Sequence, residues 1–330
     1  MYLSPPIRSA ALAAGLVLLL TACGSSTAST DPTTDTGSAT LNLGFYPNNS
    51  LTLPITIAQD QGIFEASKLD VTTFPGKTGP ELSAALIGGS VQISQNTPQS
   101  AFPAIRDGQN LVVLPPVAAL NYQIAGSKEI ADQGIGGLKG KRIGITARGS
   151  ATETFARSVL SENGLDPDHD VTFVAVGGST TMVPAYGQDQ IDAFVGTPST
   201  VALMRSHGQG IAVIADAMDG TAGALGKYGY GSFFTTTKDV MDRSPVTVQR
   251  FCDAIRKATA YIADPANKDT VVTALSKLAG LPEGQSTPIY EAEHALWTNS
   301  LNAEQWQKNT EWVLGADADK VPFNSSTGCL

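Results

Sequence analysis

Histidine and cysteine are scarce in this chain of 330 residues, with three of each. His169, His207 and His294 do not spell a zinc ligand set, so metal chemistry has no footing here. Basic residues are outnumbered 21 to 30, for a net charge of -9, and no run of Lys and Arg forms a nucleic-acid footprint. The apolar run Ala10–Leu20 has 11 residues, too few to span a bilayer as a helix. There is no Gly-x-Ser-x-Gly elbow and no cysteine placed as a nucleophile. The stretch GIGGLKGKR at 134–142 lacks the phosphate-loop spacing: Ile135 stands where the first glycine belongs, and Arg142 where Ser or Thr would hold magnesium. It reads as a turn ahead of a strand. Catalysis finds no positive case, and no cofactor is expected.

What the sequence does contain is repetition. DVTTF at 70–74 returns as DVTFV at 170–174, Thr97-Pro98 as Thr197-Pro198, Gly108-Gln109 as Gly208-Gln209, and Gly44 as Gly144. The length suits two lobes better than one core, and apolar residues at 42% make the chain globular. Strand-like segments at 41–45, 69–74, 91–94 and 111–114 alternate with helical ones, and 142–146, 171–176, 191–195 and 211–214 repeat the pattern. Such alternation predicts an α/β fold in which each lobe is a mainly parallel sheet flanked by helices. After a strand from 231, helices are expected from Ser244-Pro245, with Val248, Phe251, Cys252, Ile255 and Ile262 on one face, then at 268–279, 286–298 and 303–314. This helical extension is expected to pack on the first lobe, with its three tryptophans, Trp297, Trp306 and Trp312, in the core.

Helix starts carry the functional argument. Thr78 with Glu81 and Ser150 with Glu153 fit the capping box, while Thr97-Pro98 and Thr197-Pro198 place proline where its missing N–H costs nothing. Open parallel sheets bind ligands beyond the carboxyl ends of their strands, where helix N-termini attract anions. Two such lobes face to face make a cleft.

The N-terminus resembles that of a bacterial lipoprotein: Arg8, the short apolar run, then Leu20-Thr21-Ala22-Cys23. The resemblance implies a signal peptide over 1–22, acylation of Cys23 and a flexible tether over 23–40. Cys252 and Cys329 remain as an even pair in a compartment that tolerates disulfides. A bridge between them, and a buried free Cys252 with an exposed Cys329, stand as equal readings.

LPITIAQDQGIF at 53–64, ELSAALIGGSVQIS at 81–94, LKGKRIGITARGSATETFARSVLSENGL at 138–165 and QDQIDAF at 188–194 together resemble the solute-binding proteins of ABC importers for nitrate, sulfonates and taurine. The resemblance runs from about 41 to 265. It implies a two-lobe periplasmic-binding-protein (type II) fold with lobe 1 over 41–121 and 232–330 and lobe 2 over 122–231, the chain crossing near 119–123 and 229–233. It also implies a monomer that hands a small organic anion to an ABC permease and its ATPase from a lipid anchor on the cell membrane. The ligand positions carried over are Tyr46, Gly76, Thr78, Gly79, Asn96, Thr97, Tyr122, Arg148, Ser150, Ala151, Thr152, Ser179, Thr180 and Thr197. Arg148, a cation at a helix start, has two equal readings: a partner for the anion through its planar fork, or a solvated residue beside a glycine turn. Sulfonate binders carry a tryptophan and an acidic residue before the last proline, where this chain reads Val195-Gly196-Thr197-Pro198, so the aromatic wall is missing. The alternatives are a binding protein for the pyrimidine precursor of thiamine, or an enzyme on the same fold, a pyrimidine synthase or a menaquinone-pathway type. The synthases' cysteine-rich motif is absent here.

Overall fold

The computed structural model describes residues 37–282, 284–323 and Cys329. Cys23 and most of the expected tether lie outside them. The described strands are β1 (Ala39–Phe45), β2 (Leu69–Pro75), β3 (Ile93–Asn96), β4 (Leu111–Ala119), β5 (Gln123–Ser127), β6 (Arg142–Ile145), β7 (Thr172–Ala175), β8 (Ala193–Gly196), β9 (Ile211–Asp216), β10 (Tyr230–Thr237) and β11 (Trp297–Thr298). They form two sheets, ordered β11-β4-β10-β3-β1-β2 and β7-β6-β8-β5-β9. β1 begins at Ala39, inside the stretch expected as tether, because Ala39 already pairs with Leu69 of β2.

The repeated words occupy equivalent places. Gly44 of β1 pairs in parallel with Phe74 and Ser94, and Gly144 of β6 with Val174 and Phe194. Both positions are tight: a Cβ on Gly44 would lie 2.8 Å from Ser94 Oγ, and one on Gly144 2.5 Å from Ile191 Cδ1. Each sheet is mixed, because one strand is lent by the other half of the chain. β5 leaves β4 and inserts antiparallel between β8 and β9, and β10 returns to insert antiparallel between β3 and β4. The remaining main strands of each sheet share one direction. β10 is buried along nearly its whole length, as a strand covered on both faces must be.

Around β6–β8 the core is formed by Ile143, Ile145, Phe155, Val159, Leu160 and their neighbours. The largest cluster gathers Leu41, Leu43, Ile55, Phe234, Phe251 and Ile255. The helix Pro245–Ala263 buries the five positions expected from its spacing, each worth roughly 1.5–3 kcal/mol for the large side chains. Cys252 on that helix is disulfide-bonded to Cys329, with Cα atoms 5.6 Å apart.

One expectation for the C-terminal segment needs correction. The predicted helix over 286–298 ends at Glu293, and Trp297 and Thr298 form β11 instead. An aromatic and a β-branched residue fit a pleated ladder, here against Ala118 and Val117 of β4. The segment also packs beyond the first sheet: helix Lys268–Ala279 touches Pro198–Ser206, helix Ala303–Leu314 touches Gly223–Tyr228, and Trp312 lies against the β6–β8 core. Trp306 is buried, 4.8 Å from Phe102, and donates its indole N–H to Val321 O.

Candidate functional site

The carboxyl ends of β1, β2 and β3 face those of β6, β7 and β8 across a cavity of about 290 Å³. From the first sheet come Tyr46 after β1, Gly76, Thr78 and Gly79 after β2, and Thr97 after β3. The second contributes Ser150, Ala151 and Thr152 after β6, Ser179 and Thr180 after β7, and Thr197 after β8. Tyr122 stands where the chain passes from β4 to β5. All of these were expected from the sequence.

The two walls differ in how their polar groups are satisfied. On the second wall the hydroxyls bond one another: Thr152 Oγ1 lies 3.0 Å from Thr146 Oγ1 and 2.8 Å from Ser150 Oγ, and Thr197 Oγ1 lies 2.8 Å from Ser199 Oγ. Ser179 Oγ is 3.0 Å from Thr200 Oγ1 and reaches across to Asn48 O at 3.5 Å. On the first wall the buried Tyr46 hydroxyl and Thr97 Oγ1, and beside Gly79 the Ser100 Oγ, have no hydrogen-bond partner among the described residues. Buried polar groups are ordinarily paired, so three unpaired hydroxyls grouped at two helix starts set this wall apart from the second. Burial, with the Tyr122 phenol adding to it, pushes the Tyr46 hydroxyl far above its ordinary range, so it stays protonated and can donate.

A missing cap bond bears on one of them, Thr97. Thr78 Oγ1 accepts from Glu81 N at 3.3 Å, but Thr97, Ser150 and Thr197 make no side-chain cap bond to their own helices. The Ser150 capping box does not form. Its Glu153 bonds Gly149 N instead, at 2.7 Å. Thr97 is held in extended backbone, and its N–H donates to Asn96 Oδ1 at 3.0 Å. The β1 loop is fixed by the buried Gln95, which accepts from Tyr46 N and Thr52 Oγ1 and donates to Leu51 O.

Two expected ligand positions lie off the cavity. Asn96 is fully buried behind it, bonded to Ser83 and Thr235. Its side chain alternates to the face opposite that of a cavity-lining neighbour, so it supports Thr97. Arg148 also turns away: Nη1 lies 3.0 Å from Glu153 Oε1 and Nη2 donates to Phe173 O at 2.7 Å. Gly149, next in the chain, takes the left-handed backbone of a tight turn (φ +71°). Sequence reasoning missed Asn48, Thr146 and Thr200 on the lining, and covered Lys77 only as part of the stretch 76–79. Thr200 was signalled by its spacing, one helical turn after Thr197, and Lys77 by its place between Gly76 and Thr78. Lys77 is the one basic side chain among the described lining residues, which include no carboxylate.

Solved structures share this architecture. The alkanesulfonate-binding protein SsuA of Xanthomonas axonopodis pv. citri, bound to MOPS, superposes with a TM-score of 0.71 at 18% identity, covering 87% of this chain and 96% of that one. The nitrate-binding protein NrtA of Synechocystis PCC 6803 does so with a TM-score of 0.69 at 14% identity, covering 88% and 84%. In sequence, the nitrate/nitrite binding protein NrtA of Synechococcus elongatus is 25% identical over 309 residues, 80% of this chain and 68% of that protein. No described helix is long and apolar enough to cross a membrane. The model of the NMT1-like family matches residues 34–276, most of the chain, and the protein therefore belongs to that family.

Proposed function

We propose that this protein is the extracytoplasmic substrate-binding component of an ABC importer, and that it captures a small organic anion between its two lobes without making or breaking a bond in it. The observation that carries the reading is the trio of partnerless buried hydroxyls, Tyr46, Thr97 and Ser100, grouped at the first turns of helices Gly79–Ile87 and Pro98–Arg106. Donors of this kind beside two helix N-termini suit an anionic oxygen group. Lys77 at the lining and the lack of lining carboxylates favour the same sign of charge. The relatives' names, nitrate-binding and alkanesulfonate-binding, agree with this class. A cavity of about 290 Å³ is roomier than nitrate needs and points to an organic body attached to the anionic head.

A heteroaromatic ligand, such as the pyrimidine precursor of thiamine, is the second reading. It is favoured by Tyr46 and Tyr122 on the lining and by the lack of an arginine there among the described residues. A thermal-shift series with taurine, MOPS, nitrate and the hydroxymethylpyrimidine tests both. A ligand at a hundred times its dissociation constant stabilises by about 2.7 kcal/mol. Stabilisation by sulfonates supports the first reading, and stabilisation by the pyrimidine alone replaces it with the second.

Delivery places the protein outside the cytoplasm, and acylation of Cys23 would hold it at the membrane surface. Cys23→Ser removes the only acceptor for the lipid at that site. The parent is expected to partition into detergent and the variant to stay in the aqueous phase, whereas equal partitioning defeats the lipid anchor.

A further inference from the structure

The chain passes between its sheets at two places, Leu120–Tyr122 between β4 and β5 and 217–229 between β9 and β10. The two crossings touch: Leu120 N donates to Gly229 O at 2.9 Å. They approach so closely that a Cβ on Gly231 would lie 2.6 Å from Ala119 O, and one on Gly229 2.9 Å from Leu120 Cδ2. Both are also gripped from one direction. On the first crossing, Asn121 Nδ2 donates to Glu293 Oε1 at 2.9 Å, and Ala119 N donates to Leu296 O at 3.0 Å. On the second, the side chain of Asn309 spans the turn, donating to Tyr228 O at 2.9 Å and accepting from Tyr230 N at 3.0 Å.

Glu293, Leu296 and Asn309 all belong to the C-terminal segment that runs from helix Thr287–Glu293 through β11 to helix Ala303–Leu314. Asn121, Glu293 and Asn309 are 0, 8 and 1% exposed, so water does not replace these bonds cheaply. The segment is anchored on the first sheet by β11 pairing with β4 and by Trp306 against Phe102. Trp312 of the segment packs against the core around β6–β8 of the second sheet. None of its residues lines the cavity.

We infer that this C-terminal segment is a brace on the hinge, with Glu293 and Asn309 as positioning residues that set how readily the lobes open and close. The inference rests on the capture of a ligand between two lobes proposed above, and adds that the lobes move together as the ligand binds. Bonds from one segment to both crossings, Glu293 to the Asn121 amide and Asn309 to the backbone of Tyr228 and Tyr230, bias whichever lobe angle lets them keep their geometry, and a bias on the unliganded equilibrium alters affinity from outside the site.

The test uses the full chain. Small-angle scattering without added ligand compares the parent with Asn309→Ala and with Asn309→Asp, which keeps the acceptor for Tyr230 N but loses the donor to Tyr228 O. Glu293→Ala is compared with Glu293→Gln, which keeps an acceptor for Asn121. Amide exchange is followed at Leu120 and Tyr230, and MOPS serves as the titrated probe. The brace requires Asn309→Ala and Glu293→Ala to remain cooperatively folded, to change the unliganded radius of gyration, and to speed exchange at the crossings by about tenfold or more. MOPS affinity should move by about twofold or more, with Asn309→Asp intermediate and Glu293→Gln close to parent. Faster exchange with scattering identical to the parent overturns the brace and leaves Asn309 and Glu293 as local packing. A parent whose scattering does not respond to saturating MOPS, shown to bind by calorimetry, overturns the closing cleft itself and the brace with it. If MOPS does not bind, the unliganded curves decide for or against the brace alone.

Discussion

Arg148 is locked to Glu153, Nη1 to Oε1 at 3.0 Å, on the outer side of the turn that leads into the helix Ala151–Glu162. Glu153 is the hub of that turn. Despite burial, which pulls the other way, the Gly149 N–H, Arg148 and Arg157 hold its carboxyl below the ordinary range. Arg148 is therefore engaged in shaping the loop whose inner side presents Ser150 to Thr152.

Removing that cation should leave recognition intact. With its side chain 59% exposed, the Arg148 pair is worth at most about 1 kcal/mol. Arg148→Ala is expected to lower the melting temperature slightly and leave ligand affinity as in the parent. Calorimetry showing a tenfold loss of affinity at unchanged stability would return Arg148 to the site.

Thr97→Val should do the reverse. The Thr97 hydroxyl has no partner among the described residues, so the nearly isosteric replacement relieves an unpaired buried group and leaves unliganded stability equal or higher. Losing one hydrogen bond to a charged ligand costs about 1.5–3 kcal/mol of binding. A variant that binds as well as the parent would show that the orphan hydroxyl is not a ligand contact.

Gly79 sits against the same niche. A Cβ there would overlap Ser100 Oγ and lie 3.3 Å from the Tyr46 hydroxyl. Gly79→Ala is expected to fill the space between the orphans and weaken binding at least as much as Thr97→Val, while the helix, begun by Thr78 and Pro80, still forms. Undiminished binding in a titration would place the anion elsewhere in the cavity.

Glu293 predicts a pH signature. Burial pushes its carboxyl up to about 7 from an unfolded value of 4.5, against the opposing pull of the Ser50 hydroxyl and the Asn121 amide. The folded state thus binds this proton more tightly than the unfolded one. Its contribution to stability is complete below pH 4.5 and is lost as pH rises through 7, a change of roughly 3 kcal/mol. Glu293→Gln cannot titrate, so its stability relative to the parent should be higher at pH 8 than at pH 5. Denaturant midpoints that differ from the parent's by the same amount at both pH values would remove Glu293 as the source.

Much of this protein was legible in the residues themselves. Period-2 and helical patterns are local, so β1, β2 and the helices Lys268–Ala279 and Ala303–Leu314 could be placed from the sequence, and the echo of Gly44 in Gly144 marked equivalent strands. Twelve lining residues followed from strand ends and helix starts, because the carboxyl edge of a parallel sheet is a consequence of its topology. Other features depend on partners far away in the chain. β5 declares itself as a strand only when β8 and β9 flank it, and β11 only against β4. Arg148 bonds Glu153 and Phe173 O and does not line the cavity, a choice among partners that no spacing records. The grips of Glu293 on Asn121 and of Asn309 on Tyr228 join residues 172 and 81 positions apart. Buried polar groups choose partners from whatever packing brings near them, so those pairings belong to the tertiary structure alone.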